Sequence, residues 1–275
     1  MRTLKNVDPA TDRAEADGPL DRHRVVALSR GLRILRAFEE AAGPLSNHDL
    51  VAYTGLPKST VSRLTRTLTI EGFLVQLART AQYKLAPAVV GLARAYQDTS
   101  GIAEVARPHM QELASEIHGT VAVAARDGLD MVYLAIARNV SRIHVPQAAG
   151  SRVPVGRTAV WFAYLHSAPA AERDAIAAAI RSRTPRDAAG FDQELLRTRR
   201  EIEAAEFCVC AGTWRPDVSG AGVSLVLPDR TVIAFNASGP SFWIKEERLY
   251  AEIGPRLVAM ARSVRVDFSR RGRAP

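Results

Sequence analysis

The sequence predicts a two-domain chain: a small all-α segment closed by a β-hairpin, then a larger domain of mixed α and β. Three observations predict it. The chain has 275 residues, 47% of them hydrophobic, enough to bury two separate cores. Residues 25–71 repeat their apolar side chains at helical spacing only, whereas from residue 120 short alternating runs interleave with helical ones. Between the two patterns, Gly101 interrupts a long helical stretch.

Residues 1–22 mix both charge signs with Pro, Gly and Ala and lack apolar periodicity, so they read as a disordered arm. From Val25, the spacing of Leu28, Leu32, Ile34, Leu35 and Phe38 predicts a first amphipathic helix, with Arg30, Arg33 and Arg36 on its other face. Gly43 and Pro44 break it. Ser46 as N-cap, with Asp49 three residues on, starts a short second helix that ends at Gly55. Pro57 suits the head of a third helix running to about Glu71, and Gly72 stops it. FLVQLARTAQYKLAP then reads as two short strands about a turn at Ala78 to Ala81. These elements form a domain over residues 23–87.

AVVGLARAYQ is helical, giving a linker helix over residues 88–103 with Gly101 as a hinge. In the second domain, residues 104–268, IAEVARPHMQELASEIHG reads as a helix, TVAVAARDG and DMVYLAIAR as a hairpin, and SRIHVPQ as a further strand. AVWFAYLHSA and AERDAIAAAIRS read as helices, and FDQELLRTRREIEAAEF as a charged helix leading into the strand FCVCAGT. GAGVSLVLPDRTVIAFNASGP forms two strands joined at Pro228 to Arg230, WIKEERLYAEIGPRLVAMARSVRVDF closes the chain as a helix, and residues 269–275 are a loose tail.

The formal net charge of +8 favours polyanionic partners, nucleic acid or an anionic membrane surface. Two cysteines one residue apart, Cys208 and Cys210, are too few for a secreted disulfide framework, and the N-terminus lacks the apolar core of a signal peptide. With no run of eighteen apolar residues, the expectation is a cytoplasmic protein that spans no membrane. The six histidines stand at no ligand spacing to the cysteines, and no metalloprotease, nucleophile-elbow or phosphate-loop motif occurs, so no metal, cofactor or catalytic residue is expected.

On the third helix Val61, Leu64 and Leu68 form an apolar face, and Ser59, Thr60, Arg63, Arg66 and Thr67 fall largely opposite. Such a charged face often does no more than keep a helix soluble. Here, however, a short helix, a Gly turn and a second helix opening on hydroxyl and lysine side chains match the arrangement that enters the DNA major groove. Lys58, Ser59 and Thr60 suit phosphates or base edges, and Arg63 and Arg66 guanine or the backbone. The hairpin adds Gln76, Arg79, Tyr83 and Lys84 as a wing.

The stretches TGLPKSTVSRL, EGFL and YKLAPAVVGLARAY resemble the winged helix-turn-helix of the isocitrate lyase regulator (IclR) family of bacterial transcription factors. ARPHMQELASEIHGTVAVAARDGLDMVYLA, GSRVPVGRTA and NASGPSFWIKEERL resemble that family's effector-binding domain, so the likeness covers roughly residues 24–268. It implies a GAF-like second domain that takes a small metabolite, a homodimer or dimer of dimers on double-stranded DNA with a palindromic operator, and a linker helix that couples the two. Carried over by position, it points to Ala159, Val160, Cys210, Gly220, Asn236 and Ser238 as the effector site. Many members have cysteine where Gly220 stands, serine where Asn236 stands and often histidine where Gly156 stands, so their ligands do not transfer.

Chemistry adds Arg157 and Arg152 near an anion-favouring helix start, and a small organic acid follows, aromatic if Trp161 and Trp214 take part. Two alternatives stay open: an architectural DNA-binding protein that needs no ligand, and an enzyme using the second domain.

Overall fold

The computed structural model describes residues 25–41, 43–139, 147–183 and 188–271, and they divide into two compact units, residues 1–98 and 99–275. The arm over residues 1–22, residues 272–275 of the tail and the strand expected from SRIHVPQ, Gln147 apart, lie outside the described residues.

In the first unit, α1 (Val26–Glu40), α2 (Asn47–Thr54) and α3 (Lys58–Ile70) precede the hairpin of β1 (Leu74–Gln76) and β2 (Tyr83–Leu85). The capping box is formed as the sequence predicts: Ser46 Oγ accepts from the Asp49 N–H, and the Ser46 N–H donates to Asp49 Oδ2 at 2.8 Å. Gly55 ends α2 at φ 66° and Gly72 follows α3 at φ 77°, left-handed conformations that glycine adopts without a Cβ penalty. Pro57 is the residue before α3, one position earlier than expected. Arg33 donates to the Thr54 carbonyl at 2.7 Å, fastening α1 to the end of α2.

Ile34, Ala37, Leu50, Val61, Leu74 and Tyr83 form the core of this unit. Two expectations change here. Leu28 and Leu32, read as part of α1's core stripe, are 62% and 52% exposed, because only the Ile34 and Ala37 side of α1 meets α2 and α3. Tyr83, read as a DNA contact, is 6% exposed in the core, its backbone bridged to Leu45 by hydrogen bonds of 2.7 and 2.9 Å.

Helix α4 (Ala88–Ser100) ends at Gly101, whose φ of 60° turns the chain into α5 (Ile102–Ile117). The second unit then holds β3 (Thr120–Asp127), β4 (Asp130–Arg138), β5 (Arg152–Pro154), α6 (Ala159–Ser167), α7 (Ala170–Arg183), α8 (Ala188–Ala205), β6 (Cys208–Ala211), β7 (Val218–Val226) and β8 (Val232–Pro240). Helix α9 (Glu246–Arg248) passes through a π turn at Leu249–Ile253 into α10 (Gly254–Arg271), so Ser269 to Arg271, expected in the tail, are helical.

The six strands form one antiparallel sheet in the order β5-β4-β3-β8-β7-β6. Alternation gives each face its own core. Val121, Val123, Phe235 and Val223 pack against α5 and α10, while Ala122, Ala124, Ala234 and Cys208 pack against α6 to α8. Strand β5, unseen in the sequence pattern, adds Val153 to the second face.

Candidate functional site

A cavity of about 40 Å³ opens on the α6 face of the sheet, and space of that size holds a few waters or a small ligand group. Its position follows from a close packing. Gly222 on β7 lies against the start of α6, where a Cβ would stand 2.2 Å from the Ala159 carbonyl oxygen. Cys208 donates its thiol to the same oxygen at 3.4 Å. The sheet therefore carries the helix start directly on its surface, and the next row of residues toward the strand ends, Cys210, Gly220 and Ser238, remains as the cavity floor.

All seven residues expected from the sequence, Arg157, Ala159, Val160, Cys210, Gly220, Asn236 and Ser238, line this cavity. Asn236 donates to Ser238 Oγ at 3.2 Å, while its Oδ1 is buried with no hydrogen-bond partner among the described residues. Thr158 Oγ1, at the N-cap of α6, is likewise buried and unpartnered among them. Ala159 and Val160, whose N–H groups are the first of α6, line this space at the positive end of the helix dipole. Burial raises the Tyr133 phenol above its usual range, with an opposing hydrogen bond from Asn236. The Cys210 thiol is pushed up to about 12 by burial, so it lines the wall as a neutral group.

The sequence misses Tyr133, Gln147, Thr158, Thr213 and Val218 as a lining set. Thr213 Oγ1 donates to the Arg157 carbonyl at 2.8 Å and so latches the loop after β6 over the helix start. Two residues named beside the cavity are placed elsewhere. Arg152 is held by Asp127 at 2.7 Å and Asp130 at 3.0 Å on the sheet edge, and Trp161 is fully buried among Phe162 and Phe191. Trp214 does reach the cavity, and the Arg215 guanidinium lies 5.9 Å from its ring centroid.

On the first unit, Lys58, Ser59, Arg63, Arg66 and Thr67 are exposed on α3, with Ser62 beside them, and Thr60 is half-buried on the flank facing α1. At 100° per residue Ser59, Arg63, Arg66 and Ile70 form the outermost stripe, and Ile70 is 72% exposed. Gln76, Arg79 and Lys84 are exposed on the hairpin. Among the described residues no three His, Cys, Asp or Glu side chains gather as metal ligands, and no helix is long and apolar enough to cross a membrane.

A helix-turn-helix with an exposed basic stripe and a wing, joined to an α+β domain holding a small cavity with unpartnered polar groups, defines an effector-responsive DNA-binding regulator. The comparisons agree: the IclR helix-turn-helix domain matches residues 27–78, and the bacterial transcriptional regulator IclR C-terminal domain matches residues 94–265. The chain belongs to the IclR family of transcriptional regulators. It is 32% identical over 247 residues to the HTH-type transcriptional regulator TsaQ1/TsaQ2 of Comamonas testosteroni, covering 89% of this chain and 88% of that protein. The crystal structure of an IclR family regulator from Brucella abortus superposes with a TM-score of 0.82 at 37% identity, over 91% of this chain and 95% of that one. An IclR homologue from Microbacterium hydrocarbonoxydans, crystallised with 4-hydroxybenzoate, shares the fold at a TM-score of 0.72 and 17% identity, over 89% and 99% of the two chains.

Proposed function

We propose that the cavity at the start of α6 is the effector site and that its ligand is a small carboxylic acid whose binding alters affinity for a palindromic operator. One observation carries this reading: the unpartnered Thr158 Oγ1, the unpartnered Asn236 Oδ1 and the free N–H groups of α6 converge on the same small space. A carboxylate satisfies the helix N–H groups and the threonine hydroxyl, and a hydroxyl on the ligand satisfies Asn236. The 4-hydroxybenzoate held by the Microbacterium homologue has both groups, and Trp214 offers an aromatic wall here.

DNA contact falls to Lys58, Ser59, Thr60, Arg63, Arg66 and Thr67 of α3 with Gln76, Arg79 and Lys84 of the wing. The chain works as a dimer. Leu28, Leu32 and Leu92, 62%, 52% and 60% exposed, border one apolar groove between α1, α3 and α4, a surface suited to burial against a second copy. It acts in the cytoplasm, by binding rather than turnover.

The test is a melting-temperature screen of the full chain with benzoate and 4-hydroxybenzoate, followed by operator binding with and without the acid that binds. An acid that stabilises wild type, shifts operator affinity and loses both effects in Asn236→Ala is the expected result. Acids that leave the melting temperature unchanged would remove this reading of the cavity.

A further inference from the structure

The cavity face of the sheet carries one more charged group. Direct cross-strand partners point to the same face. The register runs from Cys210 to Gly220, Gly220 to Ser238, Ser238 to Thr120 and Thr120 to Arg138. Arg138 therefore stands at the end of the row whose first three members form the cavity floor, beyond Thr120 and just outside the lining. Its side chain is partly exposed, yet Nε and Nη2 are buried, neither with a hydrogen-bond partner among the described residues. A guanidinium stays charged and brings five fixed donors, so burying part of it without an acceptor is costly unless a ligand supplies one. Arg152, which the sequence suggests for this role, already has two carboxylates.

We infer that Arg138 is a second anion-binding point of the effector cavity and that the effector is a dicarboxylate. One carboxylate sits on the N–H groups at the start of α6 and the other on Arg138. This rests on the acid-binding reading of the cavity given above. The start of α6 lies over Gly222 on β7, whose row runs through Asn236 and Ala122 to Ile136, and Arg138 lies two residues beyond on β4, so three strand spacings and two residue rises, roughly 16 Å, separate the two backbones. An extended arginine side chain covers close to half of that distance. The remainder, less a hydrogen bond of about 2.9 Å at each end, leaves room for a short linear dicarboxylate. Asn236, on the strand between, is placed to hydrogen-bond the middle of such a molecule.

The experiment measures binding and melting temperature for full-length wild type, Arg138→Gln and Arg138→Lys. The probes are linear α,ω-dicarboxylates of four to eight carbons and the monocarboxylates of equal length. The expected result is a dicarboxylate that binds wild type at least about tenfold more tightly than its matched monoacid. Arg138→Gln should reduce that affinity to the monoacid level without changing the monoacid, and Arg138→Lys should keep part of the preference. Unliganded Arg138→Gln should melt at or above the wild-type temperature, because it removes a partly buried charge with no partner among the described residues.

Equal binding of mono- and dicarboxylates by wild type overturns the role of Arg138 while the acid site stands, and that reading needs no variant. So does a preference that survives in Arg138→Gln, or a large fall in that variant's unliganded melting temperature. If no acid of either kind binds wild type, both readings fall together.

Discussion

Gly222 faces the Ala159 carbonyl so closely that a Cβ would stand 2.2 Å from its oxygen. The atoms it would meet are backbone atoms of Ala159 and Val160, which cannot turn aside as a side chain can. Gly222→Ala should therefore push the helix start off the sheet and destabilise the second unit by about 1–3 kcal/mol or more, the range for overpacking. Denaturant melts measure the loss. The same shift should enlarge the space between α6 and the cavity floor, so effector affinity should fall even where the variant stays folded.

The capping box makes a prediction about acid. Asp49 is held below its ordinary value of 3.8, first by the Ser46 hydroxyl and then by the Ser46 backbone N–H. A carboxylate whose folded value is depressed contributes stability that is present above 3.8 and lost as pH falls through the folded value. Ser46→Ala should cost the first unit about 1 kcal/mol near neutral pH. It should also flatten the fall in stability below pH 3.8, which circular-dichroism melts across that range would show.

These local features were legible because a few neighbouring residues set them: the cap at Ser46, the left-handed stops at Gly55 and Gly72, and the left-handed break at Gly101. What a stripe faces was not. Leu28 and Leu32 repeat as a core face does, but periodicity cannot say whether the apolar partner lies in the same chain. Tyr83 and Lys84 alternate, yet a strand of three residues leaves open which of them points inward. The cavity draws on β4, α6, β6, β7 and β8, elements up to a hundred residues apart, so no spacing rule could assemble it. Six of the seven expected residues came from family resemblance, which carries long-range register implicitly, and Arg157 came from its place beside a helix start. Thr213 and Trp214 lie on a loop with no periodic signal, and Arg138 shows its place only through cross-strand pairing.

Burial also predicts the behaviour of the two thiols. Cys208 is raised well above the ordinary range and Cys210 to about 12, both first by desolvation. Thiolate is the reactive form, so both should resist a disulfide reagent such as DTNB at pH 8 in the folded protein and react together on unfolding. Rapid labelling of Cys210 in the native state would show an open cavity. Slower labelling in the presence of an acid would place that acid against the cavity floor.

Tyr83 and the two arginines of α3 separate folding from recognition. Tyr83→Phe keeps the buried ring and should leave operator affinity unchanged, whereas Tyr83→Ala should cost about 3–5 kcal/mol of stability, the range for losing a buried aromatic side chain. Arg63→Ala and Arg66→Ala should leave the melting temperature nearly unchanged, since both residues are exposed on the outer stripe. An arginine that reads a guanine should cost about 1–3 kcal/mol on the operator and little on random DNA. One that meets a phosphate should weaken both alike and lower the salt slope by about one unit. Titrations of operator and random DNA at several fixed salt concentrations assign each arginine. An arginine whose loss moves neither affinity nor slope would have to be removed from the DNA interface, leaving Ser59, Ser62 and the wing to carry recognition.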